Sequence, residues 1–380
     1  MILLKNQVAL QFSLGPFIDF IDIEDFQAFA VIKNSGGLRP LLKLSFELRN
    51  EKIIPYLNKG NIIVVSYGIE TPISDPILFE IEALDNTKLY RVGSQVNLTC
   101  SMYNPGFTNF VHSQNYGNVK GYEVLQKIAE QNNMKFITNV TRSNDKQNWI
   151  QTGKTDWEYL DHVFWRTYKD TETFFAYAFD NNNIYYYNVH DLIEAGPRWV
   201  LSVGQISTNT DNDMLVNIGG YKSDDSKVGT LMQISGKNVT TYGYNVDTGE
   251  FSEAGHKLKT FTTMGTNKIN NLEEGCQTFE YAILSGDDHA NSIVAQSQNK
   301  RNNLLYSTHT VYVPVPIQYR DFRLLDVVQL LPADPDTPEA GLYLITGIVN
   351  QFKDGKYQTN LVLNREGVND MRGDGLSTGV

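Results

Sequence analysis

Six histidines, at positions 112, 162, 190, 256, 289 and 309, are the first candidates for chemistry, and none pairs with another at the i, i+4 spacing that holds a zinc ion. His162 follows Asp161 with Asp156 nearby, yet an exposed structural role is the better reading of that trio. Asp211-Asn212-Asp213 and Asp287-Asp288-His289 gather oxygen donors. Neither has the regular ligand spacing and closing carboxylate of a calcium loop, so both read as solvated turns or helix caps. Gly36-Gly37 and Gly219-Gly220 lack the strand-to-helix setting of a phosphate loop. Cys100 and Cys276 give neither a disulfide framework nor a zinc spacing. Distant carboxylates could still converge as an acid–base pair, which keeps a cell-wall hydrolase open as an alternative. No catalytic residue, cofactor-binding residue or metal ligand is assigned, and no enzyme is expected.

Composition narrows the partners. The 380 residues are 41% hydrophobic and 20% charged, enough for a real core divided among about two to four domains. No apolar run approaches the roughly 18 to 20 residues that span a bilayer, so no membrane span is expected. The net charge of −11 repels phosphate polyanions, and the late basic pair Lys300-Arg301 sits among Asn and Gln. Sequence-specific nucleic-acid binding is therefore not expected, whereas a passage that DNA slides through without sticking suits the sign. The first residues lack the charge order of a secretory signal, which points to folding in a reducing cytoplasm.

The elements that must position any site are mostly strands. Leu42-Lys43-Leu44-Ser45-Phe46-Glu47-Leu48-Arg49 alternates without a break, turning Leu42, Leu44, Phe46 and Leu48 to one buried face. Further strands are expected at 62–67, 77–83 and 89–98, and then a loop rich in Asn, Gly and Phe at 103–118. Residues 121–132 carry a helical stripe through Val124, Leu125 and Ile128. Thr155-Asp156-Trp157-Glu158 fits a capping box, and Trp157, Leu160 and Phe164 at i, i+3 and i+7 form the core stripe of a second helix. An aromatic hairpin follows, with strands 174–179 and 184–189 turning at Asp180-Asn181-Asn182-Asn183. Alternation buries one face, leaving Phe175, Tyr177, Tyr185 and Tyr187 as a candidate assembly surface.

Residues 223–274 are polar and suggest a peripheral β insert, with short strands at 228–234 and 238–244. Residues 287–305 read as a helix anchored by Ile293 and Val294 and capped by Asp287 or Asp288. Strands at 306–314, 324–331, 342–349 and 357–363 close the fold, and the polar Gly-rich residues 365–380 read as a mobile tail.

The end of the chain repeats the beginning. Ile62-Ile63-Val64-Val65 corresponds to Val327-Val328-Gln329-Leu330, Leu78-Phe79-Glu80-Ile81-Glu82 to Leu342-Tyr343-Leu344-Ile345-Thr346, and Gln95-Val96-Asn97-Leu98-Thr99 to Thr359-Asn360-Leu361-Val362-Leu363. Polar turns containing Asp and Lys, 85–88 and 353–356, join the second and third strands of each copy. Three elements in order at matched spacing imply a duplicated β-domain.

These paired β-domains, the helix opened by Thr155-Asp156-Trp157-Glu158-Tyr159-Leu160, the hairpin and the closing run Gly341-Leu342-Tyr343-Leu344-Ile345-Thr346-Gly347-Ile348-Val349 resemble the central baseplate hub proteins of contractile-tailed bacteriophages. That fold is shared with the N-terminal part of type VI secretion spike proteins and with some siphophage tail-associated proteins. The resemblance implies an α+β, mostly β fold, with two similar β-barrel-like tube domains flanking an α+β module and a β-rich insert. The boundaries are then 1–102, 119–194 for the module, 195–222 with 300–364 for the second β-domain, 223–299 for the insert and 365–380 for the tail. It further implies a homotrimer in the virion's tail baseplate, assembled in the host cytoplasm. In it, six near-equivalent β-domains would adapt a six-fold tail tube to a three-fold spike and line the DNA channel. Expected partners are the tail tube protein, a separate central spike protein and other baseplate proteins. Two alternatives stand beside it: a tail-tip protein that binds or degrades host-surface carbohydrate, and a hub component of a bacterial contractile injection or secretion system.

Overall fold

The computed structural model describes residues 2–3, 8–22, 24–69, 76–84, 93–170, 174–180, 182–204, 214–224, 238–257, 277–307, 309–315, 322–334, 336–353 and 356–365. The expected 228–234 strand, the 85–88 turn, Asn181, Asp211-Asn212-Asp213, Cys276 and the tail beyond Arg365 lie outside them. Strand is the dominant secondary structure, and among the described residues the α-helices are confined to the middle of the chain and the end of the insert, with one 3-10 turn at Glu51–Tyr56 in the first unit.

The first β unit comprises β1 (Ile2–Leu3), β2 (Val8–Leu14), β3 (Phe17–Ile18), β4 (Phe26–Asn34), β5 (Leu41–Leu48), β6 (Ile62–Ile69), β7 (Ile77–Leu84) and β8 (Ser94–Met102). Leu42, Leu44, Phe46 and Leu48 of β5 are all buried, as their alternation requires. The module holds β9 (Val111–Val119), α1 (Gly121–Gln131), β10 (Lys135–Thr138), β11 (Gln147–Thr155), α2 (Asp156–Arg166), β12 (Phe175–Asp180), β13 (Asn183–Asn188) and α3 (Val189–Glu194). Next come β14 (Trp199–Val203), β15 (Leu215–Ile218) and β16 (Lys222–Asp224), then the insert strands β17 (Asn238–Asn245), β18 (Phe251–Lys257) and β19 (Gln277–Leu284). Helix α4 (Ser292–Tyr306) leads into β20 (His309–Val315), β21 (Val327–Leu331), β22 (Gly341–Lys353) and β23 (Lys356–Arg365).

The strand ladders put five strands of each terminal unit in the same order, β6-β7-β8-β5-β4 in the first and β21-β22-β23-β20-β16 in the second. The flanks differ, because β2 lies antiparallel to β6 whereas β14 lies parallel to β21. Ile62 pairs with Glu80 and Val65 with Ile77, while Val327 pairs with Leu344 and Leu330 with Gly341. Both middle strands bulge at the same step, between Ile81 and Ala83 on β7 and between Ile345 and Gly347 on β22. The third strands correct the sequence match by one residue. Ile81 faces Cys100 and Ile345 faces Leu363, so Val96, not Gln95, is the counterpart of Thr359. Burial agrees, because Val96, Leu98 and Cys100 point inward like Thr359, Leu361 and Leu363. A shift of one would have turned every side chain to the wrong face.

Among the described residues the units do not close into barrels. They join edge to edge into one open sheet of 15 described strands, in which Gly347 to Phe352 of β22 pair antiparallel with Asn34 to Phe29 of β4. Closure fails within one chain because β22 is long enough to serve both units: its first residues face β21 and its last face β4. Gly347 lies at this junction, where a Cβ would stand 2.9 Å from Val362 Cγ2 and 3.2 Å from Asn34 Oδ1.

Two cores result. One fills the first unit and continues through α1 and α2, and the other fills the second unit together with α3. The expected 103–118 loop instead contains β9, paired with β11. Its outward positions are polar or exposed, so no apolar alternation announces it; Tyr116 is its one buried residue.

Candidate assembly interface

The aromatic hairpin does not present the expected outer face. Phe175, Tyr177 and Phe179 enter the first core, whereas Phe174, Ala176, Ala178 and Tyr185 enter the second. Phe175, Tyr177 and Tyr185 are buried, and Tyr187 is half-buried against the second core. The hairpin is a partition wall with an apolar neighbour on each side. A strand that is aromatic at consecutive positions has the signature of two-sided burial, and that reading replaces the assembly surface. Its turn is pinned to the sheet junction, since Lys33 Nζ of β4 lies 3.4 Å from Asp180 Oδ2.

Helix α2 is fixed by its capping box: Glu158 N donates to Thr155 Oγ1 at 3.2 Å, and Thr155 N donates to Glu158 Oε2 at 2.9 Å. Leu160 and Phe164 are buried, and half-buried Trp157 donates from its indole to Gly37 O at 3.0 Å while Arg39 stacks on its ring. Asp156 is a brace, accepting from Asn132 Nδ2 at 2.7 Å and Gln151 Nε2 at 2.9 Å. His162 is not exposed as expected. It stacks on Tyr159, and its Nδ1 lies 3.1 Å from Arg166 Nη1. Burial, then the charges of Arg166 and Lys154, lower its pKa to about 3, so the ring is neutral and accepts from the guanidinium.

Arg166 ties this helix to the insert. Its Nε donates to Asp288 Oδ1 at 3.2 Å and its Nη2 to Ile283 O at 2.9 Å. Asp288 is therefore not the cap of α4, which starts at Ser292; a nearly buried guanidinium needs a carboxylate, and Asp288 supplies it. His289 Nε2 lies 2.7 Å from Arg166 O. Ile293 and Val294, the expected anchors of α4, are only half-buried. The buried side of the helix is largely polar, with Ser297, Gln298, Asn299, Arg301 and Asn302. Asn299 explains part of this by donating to Phe164 O, Trp165 O and Thr167 O, the carbonyls that end α2. Among the described residues no three His, Cys, Asp or Glu side chains are grouped to hold a metal ion. Burial, reinforced by Glu82, pushes the Cys100 thiol up to about 12, so it stays protonated and unreactive.

Two apolar faces that sequence patterning missed are exposed. On the insert sheet, Tyr242 and Tyr244 of β17 lie beside Tyr281 and Ile283 of β19 and Phe251 of β18. Phe251 is 77% and Tyr281 79% exposed, and Tyr244 contacts Phe251 with ring centroids 4.9 Å apart. The opposite face of that sheet is covered by α4, where a Cβ on Gly243 would meet Ile293 Cδ1 at 2.9 Å. The second face is the outside of β9–β11, with Phe110, Val111 and Ile150 exposed. The alternation of β17 was legible, but which face a neighbour covers depends on a helix about fifty residues later in the chain.

A cleft of about 400 Å³ opens beside the sheet junction. Asn34, Asn303, Asn364, Thr310 and Thr346 line it together with Phe174 and Tyr306. Thr310 Oγ1 is buried there with no hydrogen-bond partner among the described residues.

No family model and no curated protein matches the sequence. Solved structures do match over nearly the whole chain. The tail protein of Neisseria meningitidis MC58 is 9% identical with a TM-score of 0.57, covering 95% of this chain and 97% of its own. The 43 kDa tail protein of prophage MuSo2 from Shewanella oneidensis is 11% identical with a TM-score of 0.58, covering 94% and 98%. The E. coli c3393 protein, a component of the type VI secretion system, is 10% identical with a TM-score of 0.48, covering 93% and 76%. No helix among the described residues is long and apolar enough to cross a membrane. The chain shares its fold with phage tail proteins, the fold that the sequence resemblance implies.

Proposed function

We propose that this protein is a non-enzymatic structural component of a phage tail, a trimeric hub that joins a six-fold tail tube to a separate three-fold spike. The observation that carries the reading is the edge-to-edge junction of two β units in which five strands follow the same order. Within one chain, β4 of the first unit pairs with the end of β22 in the second. The counterparts of those strands are β16 and β7, and among the described residues Glu82 to Leu84 of β7, beyond the Ile81 bonds to Gly60 and Asn61, have no ladder partner on the β6 side. Pairing of β16 with β7 of the next chain would repeat the same junction, so three chains would close a ring of six β units. The net charge of −11 suits a channel that DNA crosses without binding. The tube protein, the spike and other baseplate proteins are the partners, and the virion tail is the location. Native mass measurement with tube and spike partners present should give a trimer; a monodisperse monomer there would overturn the reading.

A second reading, a tail-tip protein that binds host-surface carbohydrate, is favoured by one observation. The 400 Å³ cleft offers uncharged amides and hydroxyls beside two aromatic rings, the lining a sugar uses. Saturable binding of cell-wall glycans, lost in Asn364→Ala, would support it, and release of reducing sugars would extend it to hydrolysis.

A further inference from the structure

The cleft beside the sheet junction holds two buried donors that nothing serves. Its floor is one face of β20, β23 and β22, where Thr310 and Asn364 stand directly opposite each other. Side chains so paired have Cβ atoms about 4.5–5.5 Å apart. Thr310 is 3% and Asn364 6% exposed. Thr346 Oγ1 donates to Asn364 Oδ1 at 2.8 Å, which orients the amide and leaves its Nδ2 as a donor without a partner among the described residues. Thr310 Oγ1 beside it has none either. The fold does not call for this hydroxyl: at the matching place of the first unit, opposite Ser101, stands Leu41.

The rest of the lining selects what could serve those donors. Among the described residues no charged side chain lines the cleft, so a phosphate, carboxylate or ammonium group would enter without a counter-charge. The floor strands are interior to the sheet, β23 lying between β20 and β22, and β22 between β23 and β4. Their backbone groups are spent on ladders, so a peptide finds no open edge to extend. Deep in the cleft the walls are apolar: the Phe174 and Tyr306 rings touch at 5.0 Å, and Leu344 and Val362 lie beside Asn364. Asn303 donates from Nδ2 to Asn299 O at 2.8 Å, which keeps its Oδ1 as an acceptor. Two donors for one carbonyl oxygen, an acceptor for one N–H and an apolar wall for a methyl together describe a secondary acetamide.

We propose that the cleft binds an N-acetylated, uncharged sugar of a glycan through its acetamido group. The carbonyl oxygen accepts from Thr310 Oγ1 and Asn364 Nδ2, and the methyl packs on the apolar walls. The sugar ring stays at the mouth, beside the exposed Leu38 and Tyr312. The cleft's volume of about 400 Å³ is that of a small-ligand site. This rests on the carbohydrate-binding reading above and adds the chemical group that is recognised.

The test is calorimetric titration of the full-length protein with the β-1,4-linked trisaccharides of N-acetylglucosamine and of glucose. The acetylated sugar should bind about tenfold more tightly, because the glucose trimer leaves both buried donors unserved. Thr310→Val keeps the shape and removes the hydroxyl, so it should hold or raise the melting temperature while cutting that preference severalfold. Thr310→Ser should keep the preference. Equal affinity for the two sugars, or a preference that Thr310→Val leaves intact, overturns the acetamide assignment and leaves carbohydrate binding standing. Displacement of the sugar by an equal concentration of an uncharged, N-acetylated peptide overturns the choice of a sugar. Absence of binding to both trisaccharides and to isolated cell-wall glycan overturns the assignment and the carbohydrate reading together.

Discussion

The two β units share a framework and differ in what fills it. Phe79 of β7 and Tyr343 of β22 occupy equivalent places, and both rings are fully buried. Around Phe79 the core is apolar and runs on into the helices of the module. Around Tyr343 it is polar: the hydroxyl donates to Glu339 O at 2.8 Å, His309 Nε2 lies 3.2 Å away, and the Arg365 guanidinium covers the ring at 4.4 Å. Arg365 in turn donates to Ala340 O and Pro338 O, clamping the turn before β22. Backbone pairing thus fixes the geometry that the two copies have in common, while interior chemistry is free to diverge and give each copy its own neighbours.

The comparison can be attacked at matched positions. Phe79→Ala and Tyr343→Ala should each lose about 3–5 kcal/mol in denaturant unfolding; a loss confined to one of them would mean that the framework is not shared. Gly347→Val should destabilise by about 1–3 kcal/mol, because Val362 and Asn34 leave no room for a side chain at the junction. The equivalent Ala83→Val, on an exposed stretch of β7, should change monomer stability by less than about 0.5 kcal/mol and show itself only in assembly. Exchanging the hydroxyl is a finer probe. Tyr343→Phe should cost about 1 kcal/mol by leaving its acceptor unserved, and Phe79→Tyr should also destabilise, since its core offers no polar partner.

The smallest effect concerns the module that extends the first core. His162 has an ordinary value of 6.5 and a folded value of about 3. Above pH 6.5 it is neutral in both states and contributes nothing to the pH dependence. As pH falls from 6.5 toward 3, the unfolded chain takes up a proton that the fold refuses, so stability declines across that window. Burial raises the pKa of Asp145, against hydrogen bonds that lower it, and this works in the opposite sense. The readout is therefore the difference between wild type and His162→Gln, whose melting temperature should fall less over the same range.

Local signals in the sequence were legible wherever a single neighbour decides the outcome. The alternation of β5 and the capping box of α2 need only their own residues and one core. The repeat at the two ends was visible too, but its third strand was matched one residue out of step, because alternation in Gln95-Val96-Asn97-Leu98 does not say that the stretch leading to it is one residue longer than in the second copy. What stayed hidden depended on two neighbours or distant ones. The hairpin is covered on both sides by different cores, the β9 strand is polar outward, and Asp288 is claimed by an arginine more than a hundred residues earlier.

The paired bulges also set where each meander bends. Glu82 and Thr346 are the extra residues at the same step of two meanders, whereas the stretches on either side differ in length: Ile62 to Leu78 is 16 positions against 15 from Val327 to Leu342, and Leu78 to Val96 is 18 against 17 from Leu342 to Thr359. An extra residue bends a strand and sharpens its twist, so both meanders change direction at the same step although the turns around it differ in length.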